Sequence, residues 1–79
     1  MTVAEVRVEL KKGVADPEGK NTLKALELLG FKGLRDVKTV KVFEIHLDAS
    51  QGEAKKMVED MCRRLLANPV IHNYSVTVR

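Results

Sequence analysis

Two histidines, one cysteine and a glycine-containing loop are the residues of this chain best suited to chemistry. His46 and His72 each alternate with apolar residues and have no second ligand near them, so we interpret them as solvated or packed side chains. Cys62 falls at the edge of an apolar helical pattern, with no predicted base that would make it a nucleophile. No Ser/His/Asp order, carboxylate pair or zinc-ligand spacing occurs. The sequence therefore predicts no catalytic residue, no metal site and no cofactor bound by this chain.

The loop Lys11–Thr22 carries the densest turn chemistry in the chain. Gly13 and Gly19 permit positive φ, and Asp16-Pro17 joins a fixed φ to a side chain that can bond its own backbone. A glycine loop before a helix can hold a phosphate. This loop lacks the P-loop and G-x-G-x-x-G patterns, and the carboxylates of Asp16 and Glu18 would repel an anion. We therefore predict an ordered turn that fixes a partner-facing surface.

Length and composition restrict the class of protein. A chain of 79 residues forms one domain, residues 1–79, and buries only about 60–65% of its unfolded surface, so we expect other chains to support its core. The formal charge of +3 arises from interleaved acids and bases, without the basic stripe of a nucleic-acid binder. The first residues lack the regions of a signal peptide, and no apolar run has the length of a membrane span. With a single unpaired cysteine, these features predict a cytoplasmic protein that contacts no membrane.

The first part of the chain predicts a strand followed by a helix. Residues 3–11 alternate apolar and polar side chains, which is typical of a strand with one buried face. The helix that follows is predicted to be capped by Asn21 or Thr22 and stopped by Gly30. Its apolar stripe consists of Leu23, Ala25, Leu26 and Leu29.

Between residues 34 and 47 the strand pattern returns, but the parity of its apolar positions changes around Lys38-Thr39-Val40-Lys41. We interpret this change either as two strands that meet at a tight turn or as one strand with a bend or bulge. The pattern does not choose between them.

The last part predicts a helix and a final strand. Ser50 and Glu53 match a capping box, Asn68 suits an αL cap, and Pro69 prevents continuation of the helix. Residues 70–79 alternate as a strand. The predicted buried face of the helix comprises Ala54, Met57, Val58, Met61 and Leu65.

The resulting order, β-α-β-β-α-β, predicts an α+β class: a single small domain with two helices on one face of an antiparallel sheet, related to the ferredoxin-like fold. This arrangement hosts many functions. An RNA-recognition domain would need stacking aromatics on its central strands, and the three aromatic residues Phe31, Phe43 and Tyr74 do not form that motif. A metal chaperone would need C-x-x-C, which is absent. An ACT-type regulatory domain that binds a small molecule remains open, because it needs only a glycine turn after the first strand and a dimer.

Three blocks of sequence resemble the PurS family, small subunits of multisubunit phosphoribosylformylglycinamidine synthase. They are Lys12-Gly13-Val14 with Asp16-Pro17-Glu18-Gly19-Lys20, then Ala25-Leu26 with Leu29-Gly30-Phe31, and finally Leu65-Leu66-Ala67-Asn68-Pro69-Val70-Ile71. They span nearly the full chain in the family's order. One departure is Lys38-Thr39-Val40-Lys41, where the family carries an Arg-x-Gly-Lys-like turn. Val40 cannot take a positive φ cheaply, so a different turn type is expected there.

The resemblance implies a PurS-like domain that is a non-catalytic subunit of an ATP-dependent, glutamine-hydrolysing ligase of de novo purine (IMP) biosynthesis. It implies a homodimer, with a tetramer also open, that joins a glutaminase subunit to a large synthetase subunit so that ammonia passes between them. ATP and Mg²⁺ would belong to the synthetase subunit, and nucleic acid would not be a partner. The residues expected to contact partners are Lys12, Gly13, Asp16, Pro17, Gly19, Lys38 and Lys41.

Overall fold

Three antiparallel strands and two α-helices make up the fold, and the computed structural model describes all of residues 1–79. In chain order the elements are β1 (Thr2–Leu10), α1 (Pro17–Leu28), β2 (Val40–Leu47), α2 (Gln51–Met61), a π-helical turn (Cys62–Leu66) and β3 (His72–Val78). The predicted α+β class, with an antiparallel sheet, is confirmed. Neither helix has the length and apolar character needed to cross a bilayer.

The first strand is the middle of the sheet, which has the order β2-β1-β3. Val6 of β1 lies opposite Phe43 of β2 and opposite Val76 of β3. The register between β1 and β2 runs without interruption from Thr2↔Leu47 to Glu9↔Val40, so β2 contains no bulge. The segment 34–39 is not a strand, and the sheet therefore has three strands instead of four.

The parity change in the middle of the sequence has a simple structural cause. Within β2, Val40 and Val42 lie on the sheet face that α2 does not cover, while Phe43, Ile45 and Leu47 lie on the face that carries the core. Both faces of one regular strand therefore hold apolar residues. Neither a tight turn nor a bend at residues 38–41 is needed, and both predicted alternatives are wrong.

The core lies between the sheet and α2, which packs on β1 and β3. Its cluster of buried residues consists of Ala4, Val6, Val8, Val58, Cys62 and Ala67. The prediction that Met57 and Leu65 belong to the buried face is wrong, since these side chains are 48% and 84% exposed. The π-helical turn inserts an extra residue per turn, and this rotates Leu66 instead of Leu65 toward the core.

Two predicted caps differ from the structure. α1 begins with Asp16 as its N-cap and Pro17 in its first turn, earlier than the predicted caps Asn21 and Thr22, because Asp-Pro suits an N-cap and the first helical position. Asn68 does not adopt αL, since no residue other than glycine has a positive φ. Instead its carbonyl oxygen accepts hydrogen bonds from the N–H groups of Ile71 and His72. The chain thus turns into β3 without an αL cap.

α1 lies away from the sheet. Only Gly19 of this helix is buried, and the helix has no contact with the sheet comparable to that of α2. The chain measures 48 × 26 × 15 Å, and its radius of gyration of 16.0 Å exceeds the roughly 12 Å of a compact chain of this length. We call residues 17–37 the arm: α1 and the segment that returns from it. The prediction that both helices cover one face is therefore right for α2 only.

Candidate partner-binding site

Asp16 closes the base of the arm with both of its carboxylate oxygens. Oδ1 accepts a hydrogen bond from the Gly19 N–H at 3.0 Å, which caps the start of α1. Oδ2 accepts one from the Thr39 N–H at 2.8 Å, immediately before β2 begins. One side chain thereby joins the two ends of the arm. We call this pair of hydrogen bonds the clasp.

The clasp lowers the pKa of Asp16 below its ordinary value of 3.8. The main cause is the hydrogen bond from the Thr39 N–H, followed by the one from the Gly19 N–H, because both favour the charged carboxylate. Partial burial opposes this effect without cancelling it. Asp16 is therefore ionised at neutral pH, and its charge is engaged by the backbone.

Gly19 allows the two ends of the arm to meet. It is buried in the first turn of α1, where a Cβ would collide with the backbone carbonyl oxygen of Val37. Gly19 does not use the positive φ that glycine permits: the residue is helical, and its missing side chain serves close approach. Gly13 does use it, with a φ of +87°.

Two grooves flank the clasp. The first, of about 530 Å³, lies between the loop that follows β1 and the end of the returning segment. The second, of about 390 Å³, lies between the start of α1, the core face of the sheet and the π-helical turn. Asp16 and Thr39 line both grooves, so the clasp is the wall between them.

The structure brings the sequence-predicted site residues together around this wall. Lys12, Gly13, Asp16 and Lys38 line the first groove. Asp16, Pro17 and Lys41 line the second. Gly19 lies directly beneath, against Val37. Residues from both ends of the arm and from the start of β2 thus form one surface.

Further side chains complete the grooves, and sequence reasoning missed them. Lys11, Lys20 and Asp36 line the first groove. His72 lines the second groove, and its Nδ1 accepts a hydrogen bond from the Asn68 N–H at 2.9 Å. The neutral ring therefore carries its proton on Nε2. Lys11 and Lys20 belong to the loop Lys11–Thr22 that was predicted to face a partner. No local pattern indicates Asp36 or His72, because they lie beside the clasp only once the chain has folded.

The residues considered for catalysis lie apart from one another. His46 is on the uncovered sheet face, where its Nε2 lies 2.8 Å from Oε1 of Glu44. Cys62, the first residue of the π-helical turn after α2, is fully buried, and burial, with a smaller contribution from Glu59, raises the pKa of its thiol. No group of three or more His, Cys, Asp or Glu side chains is placed to hold a metal ion. The residues that line the two grooves around the clasp therefore form the candidate functional site.

Comparison with known proteins identifies a family. Residues 3–79 match the family model described as PurS, phosphoribosylformylglycinamidine (FGAM) synthase. The phosphoribosylformylglycinamidine synthase subunit PurS of Archaeoglobus fulgidus is 58% identical over 78 residues, with 98% of each chain covered. These matches favour the PurS resemblance over an ACT-type domain.

Solved structures agree with the sequence matches. The crystal structure of PurS from Methanocaldococcus jannaschii is described as one of the subunits of formylglycinamide ribonucleotide amidotransferase in the purine biosynthetic pathway. It superposes with a TM-score of 0.89 at 44% identity, covering 100% of this chain and 96% of that one. A chain in the structure of PurLQS from Thermotoga maritima shares the fold, with a TM-score of 0.72 at 23% identity and coverage of 100% and 99%.

Proposed function

Since this chain belongs to the PurS family of phosphoribosylformylglycinamidine synthase, we propose that it is a non-catalytic scaffold subunit of that enzyme. In this role residues 1–79 act as one PurS-like domain. Two copies form a homodimer through strand edges, and the dimer joins a glutaminase subunit to a large synthetase subunit in de novo purine biosynthesis. The uncovered edges of β2 and β3 are available for such pairing.

The reaction makes a scaffold useful. The glutaminase releases ammonia from glutamine, and the synthetase uses ATP and Mg²⁺ to activate the amide that ammonia attacks. Ammonia released into water near neutral pH is largely protonated and is then no longer a nucleophile. A subunit that holds the two active sites in alignment keeps the ammonia in its reactive form until it is used. We place this assembly in the cytoplasm.

One observation carries the assignment of the contact surface: the seven expected partner residues lie around the clasp. Lys12, Lys38 and Lys41 are exposed there, so their charges are available to another chain. The Asp16 carboxylate accepts hydrogen bonds from backbone N–H groups and forms no direct ion pair with these lysines. Their charges are therefore not neutralised by Asp16. We propose that these three lysines bind acidic groups of the synthetase or glutaminase.

Co-purification tests the scaffold function. The chain is expressed with the synthetase and glutaminase subunits of its host, supplied with glutamine and Mg-ADP, and analysed by size exclusion with light scattering. We expect the three proteins to elute as one complex, and we expect glutamine-dependent synthase activity to vanish when this chain is omitted. A chain that elutes alone, together with unchanged activity in its absence, would overturn the proposal.

A further inference from the structure

Lysine side chains surround the first groove, and none of them is paired with an acid. Four of them line it: Lys11, Lys12, Lys20 and Lys38. The ion pairs within this chain are formed by other cations, which are His46, Arg63 and Arg64. The ammonium groups of the four lysines are therefore available to an anion that enters the groove.

The acidic side chains of the same groove are mostly engaged by the backbone. Three carboxylates line it: Glu9, Asp16 and Asp36. The hydrogen bonds to Asp16, led by the one from the Thr39 N–H, lower the pKa of this carboxyl more than the charge of Lys20 does. Oδ1 of Asp36 accepts a hydrogen bond from the Val37 N–H at 2.9 Å. Glu9 is thus the one acid of the groove that accepts no hydrogen bond from its own chain.

The repulsion that the sequence predicts between an anion and the pair Asp16 and Glu18 is weaker at this groove. Glu18 lines only the second groove, on the other side of the clasp. The oxygens of Asp16 accept the N–H groups of Gly19 and Thr39, whose dipoles offset part of its charge. The folded loop therefore accommodates an anion better than its composition indicates.

The loop beside the groove also holds unused backbone donors. The N–H groups of Lys12, Gly13 and Ala15 donate to no acceptor within the chain. Between them the Val14 N–H donates to the Lys11 carbonyl oxygen at 3.1 Å, which keeps this turn ordered. Successive free N–H groups bind anions in many phosphate sites. Both kinds of donor that a phosphate group uses are thus present in the residues that line the groove.

We propose that the first groove binds a small molecule that carries two or more phosphate groups. A phosphate group bears a charge of about −1.5 to −2 at pH 7, so a diphosphate matches four lysines where a single carboxylate does not. The groove volume of about 530 Å³ lies within the range of roughly 300–1,000 Å³ found for small-molecule sites. Lys12 and Lys38 also belong to the proposed partner surface, so the ligand competes there with acidic groups of a partner subunit. Binding itself does not depend on the scaffold function.

Calorimetric titration of the full chain with sodium pyrophosphate, without divalent metal, is the first test. We expect saturable binding at one site per chain. Lys11→Gln with Lys20→Gln removes two lysines that line only this groove and are not among the expected partner residues, and it should weaken binding by at least about tenfold. Lys55→Gln with Lys56→Gln changes the net charge equally on exposed α2 positions and should leave binding unchanged. No saturable binding at millimolar pyrophosphate, or equal weakening in both variants, would overturn the proposal.

A substitution that strengthens binding tests the position of the anion. Glu9→Gln removes the one acid of the groove that the backbone does not engage, so the affinity for pyrophosphate should rise by about threefold. Glu5→Gln is the matched control, because Glu5 lies on the same face of β1 but does not line the groove. Its affinity should equal that of the wild type. Equal effects of the two substitutions would place the anion elsewhere and overturn the proposal.

A second ligand identifies the source of the phosphate groups. The groove is also lined by apolar residues, which are Leu10, Val14, Ala15 and Val37. A nucleoside diphosphate that binds at least about tenfold more tightly than pyrophosphate would show that these residues contact a nucleoside, whereas equal affinities would identify the free diphosphate. Circular dichroism of each variant confirms that a change in affinity occurs in a folded chain. The scaffold function is read separately, from co-purification and glutamine-dependent activity, so either conclusion can fail without the other.

Discussion

Oδ2 of Asp16 accepts a hydrogen bond from the Thr39 N–H at 2.8 Å, across 23 positions of sequence. This contact holds the start of α1 beside the start of β2. The arm can therefore extend from the sheet while its base stays fixed. Because the acceptor is a charged carboxylate, this hydrogen bond should weaken when Asp16 is protonated at low pH.

Asp16→Asn should lower the melting temperature at pH 7. An amide has one acceptor oxygen where the carboxylate uses two, so one of the two clasp bonds is lost. The folded-state pKa of Asp16 lies below 3.8, so its carboxylate stabilises the fold above that pH and loses this effect as the pH falls through the folded-state pKa. The gap between wild type and variant should therefore shrink below about pH 4.

Thermal melts from pH 7 to pH 3 measure this gap. Asp48→Asn is the matched control, since the Asp48 side chain is exposed and makes no hydrogen bond. Its melting temperature should follow that of the wild type. A gap for Asp16→Asn that stays constant over the whole range would contradict a role for the carboxylate charge.

Gly19→Ala should destabilise the chain, by roughly 1–3 kcal/mol, because the new methyl group meets the Val37 carbonyl oxygen. Gly52→Ala is the control: it also lies in the first turn of a helix, and a Cβ there meets nothing within 4 Å. Alanine favours helix, so that variant should gain up to about 1 kcal/mol. Urea unfolding measures both. Equal effects of the two substitutions would mean that the arm tolerates a side chain at its base.

Truncation should lower the stability of the chain at Leu66 and leave it nearly unchanged at Leu65. Leu66→Ala removes a side chain packed on the core and should cost about 1–2 kcal/mol, while Leu65→Ala removes one that is 84% exposed and should stay within about 0.5 kcal/mol. Urea unfolding of each variant provides the comparison. A larger cost at Leu65 would place this residue on the buried face and contradict the π-helical turn.

Reversing the charges beside the clasp should uncouple the glutaminase from the synthetase. With Lys12→Glu and Lys38→Glu, glutamine-dependent turnover should fall by about tenfold through weaker assembly, while ammonia-dependent turnover stays nearly unchanged. The reason is that externally added ammonia does not need the bridge. Steady-state assays of the reconstituted complex with each nitrogen source give the ratio.

The control for charge is Lys55→Glu with Lys56→Glu, which changes net charge equally at exposed positions outside both grooves. It should leave the ratio of the two activities as in the wild type. If this control lowers the ratio as much as the clasp variant does, net charge is responsible and the clasp surface is not.

Local patterns predicted the strands and helix α2 because those elements bury one face of their own sequence. The alternation of Val6 and Val8 and the capping Ser50, whose hydroxyl oxygen accepts the Glu53 N–H at 3.3 Å, are examples. Local patterns did not predict how the arm is placed. The apolar stripe of α1 has the spacing of a helix that faces the core, yet Leu29 is 75% exposed within the chain. Apolar spacing shows that a helix has an apolar face, but it does not show which surface covers that face.

The sequence predicted which residues form the candidate site, but it did not predict which of them contact one another. Asp16, Pro17 and Gly19 were expected at a partner-facing turn on the strength of a family resemblance, and the structure makes them the base of the arm. The partner of Asp16 could not be inferred, because a hydrogen bond to a backbone N–H leaves no mark in the identity of Thr39. The same holds for Gly19 and the Val37 carbonyl oxygen.

The position of β1 in the middle of the sheet determines how the chain folds during synthesis. β1 is made first, but its neighbours are residues 40–47 and 72–78, and Val3 and Arg79 exchange hydrogen bonds of 3.1 and 2.8 Å. Nearly the whole polypeptide must emerge before the sheet is complete, which makes folding slow for a chain of this size. Until then at least one edge of β1 is open, and the charged residues Glu5, Arg7 and Glu9 along it oppose pairing with other nascent chains.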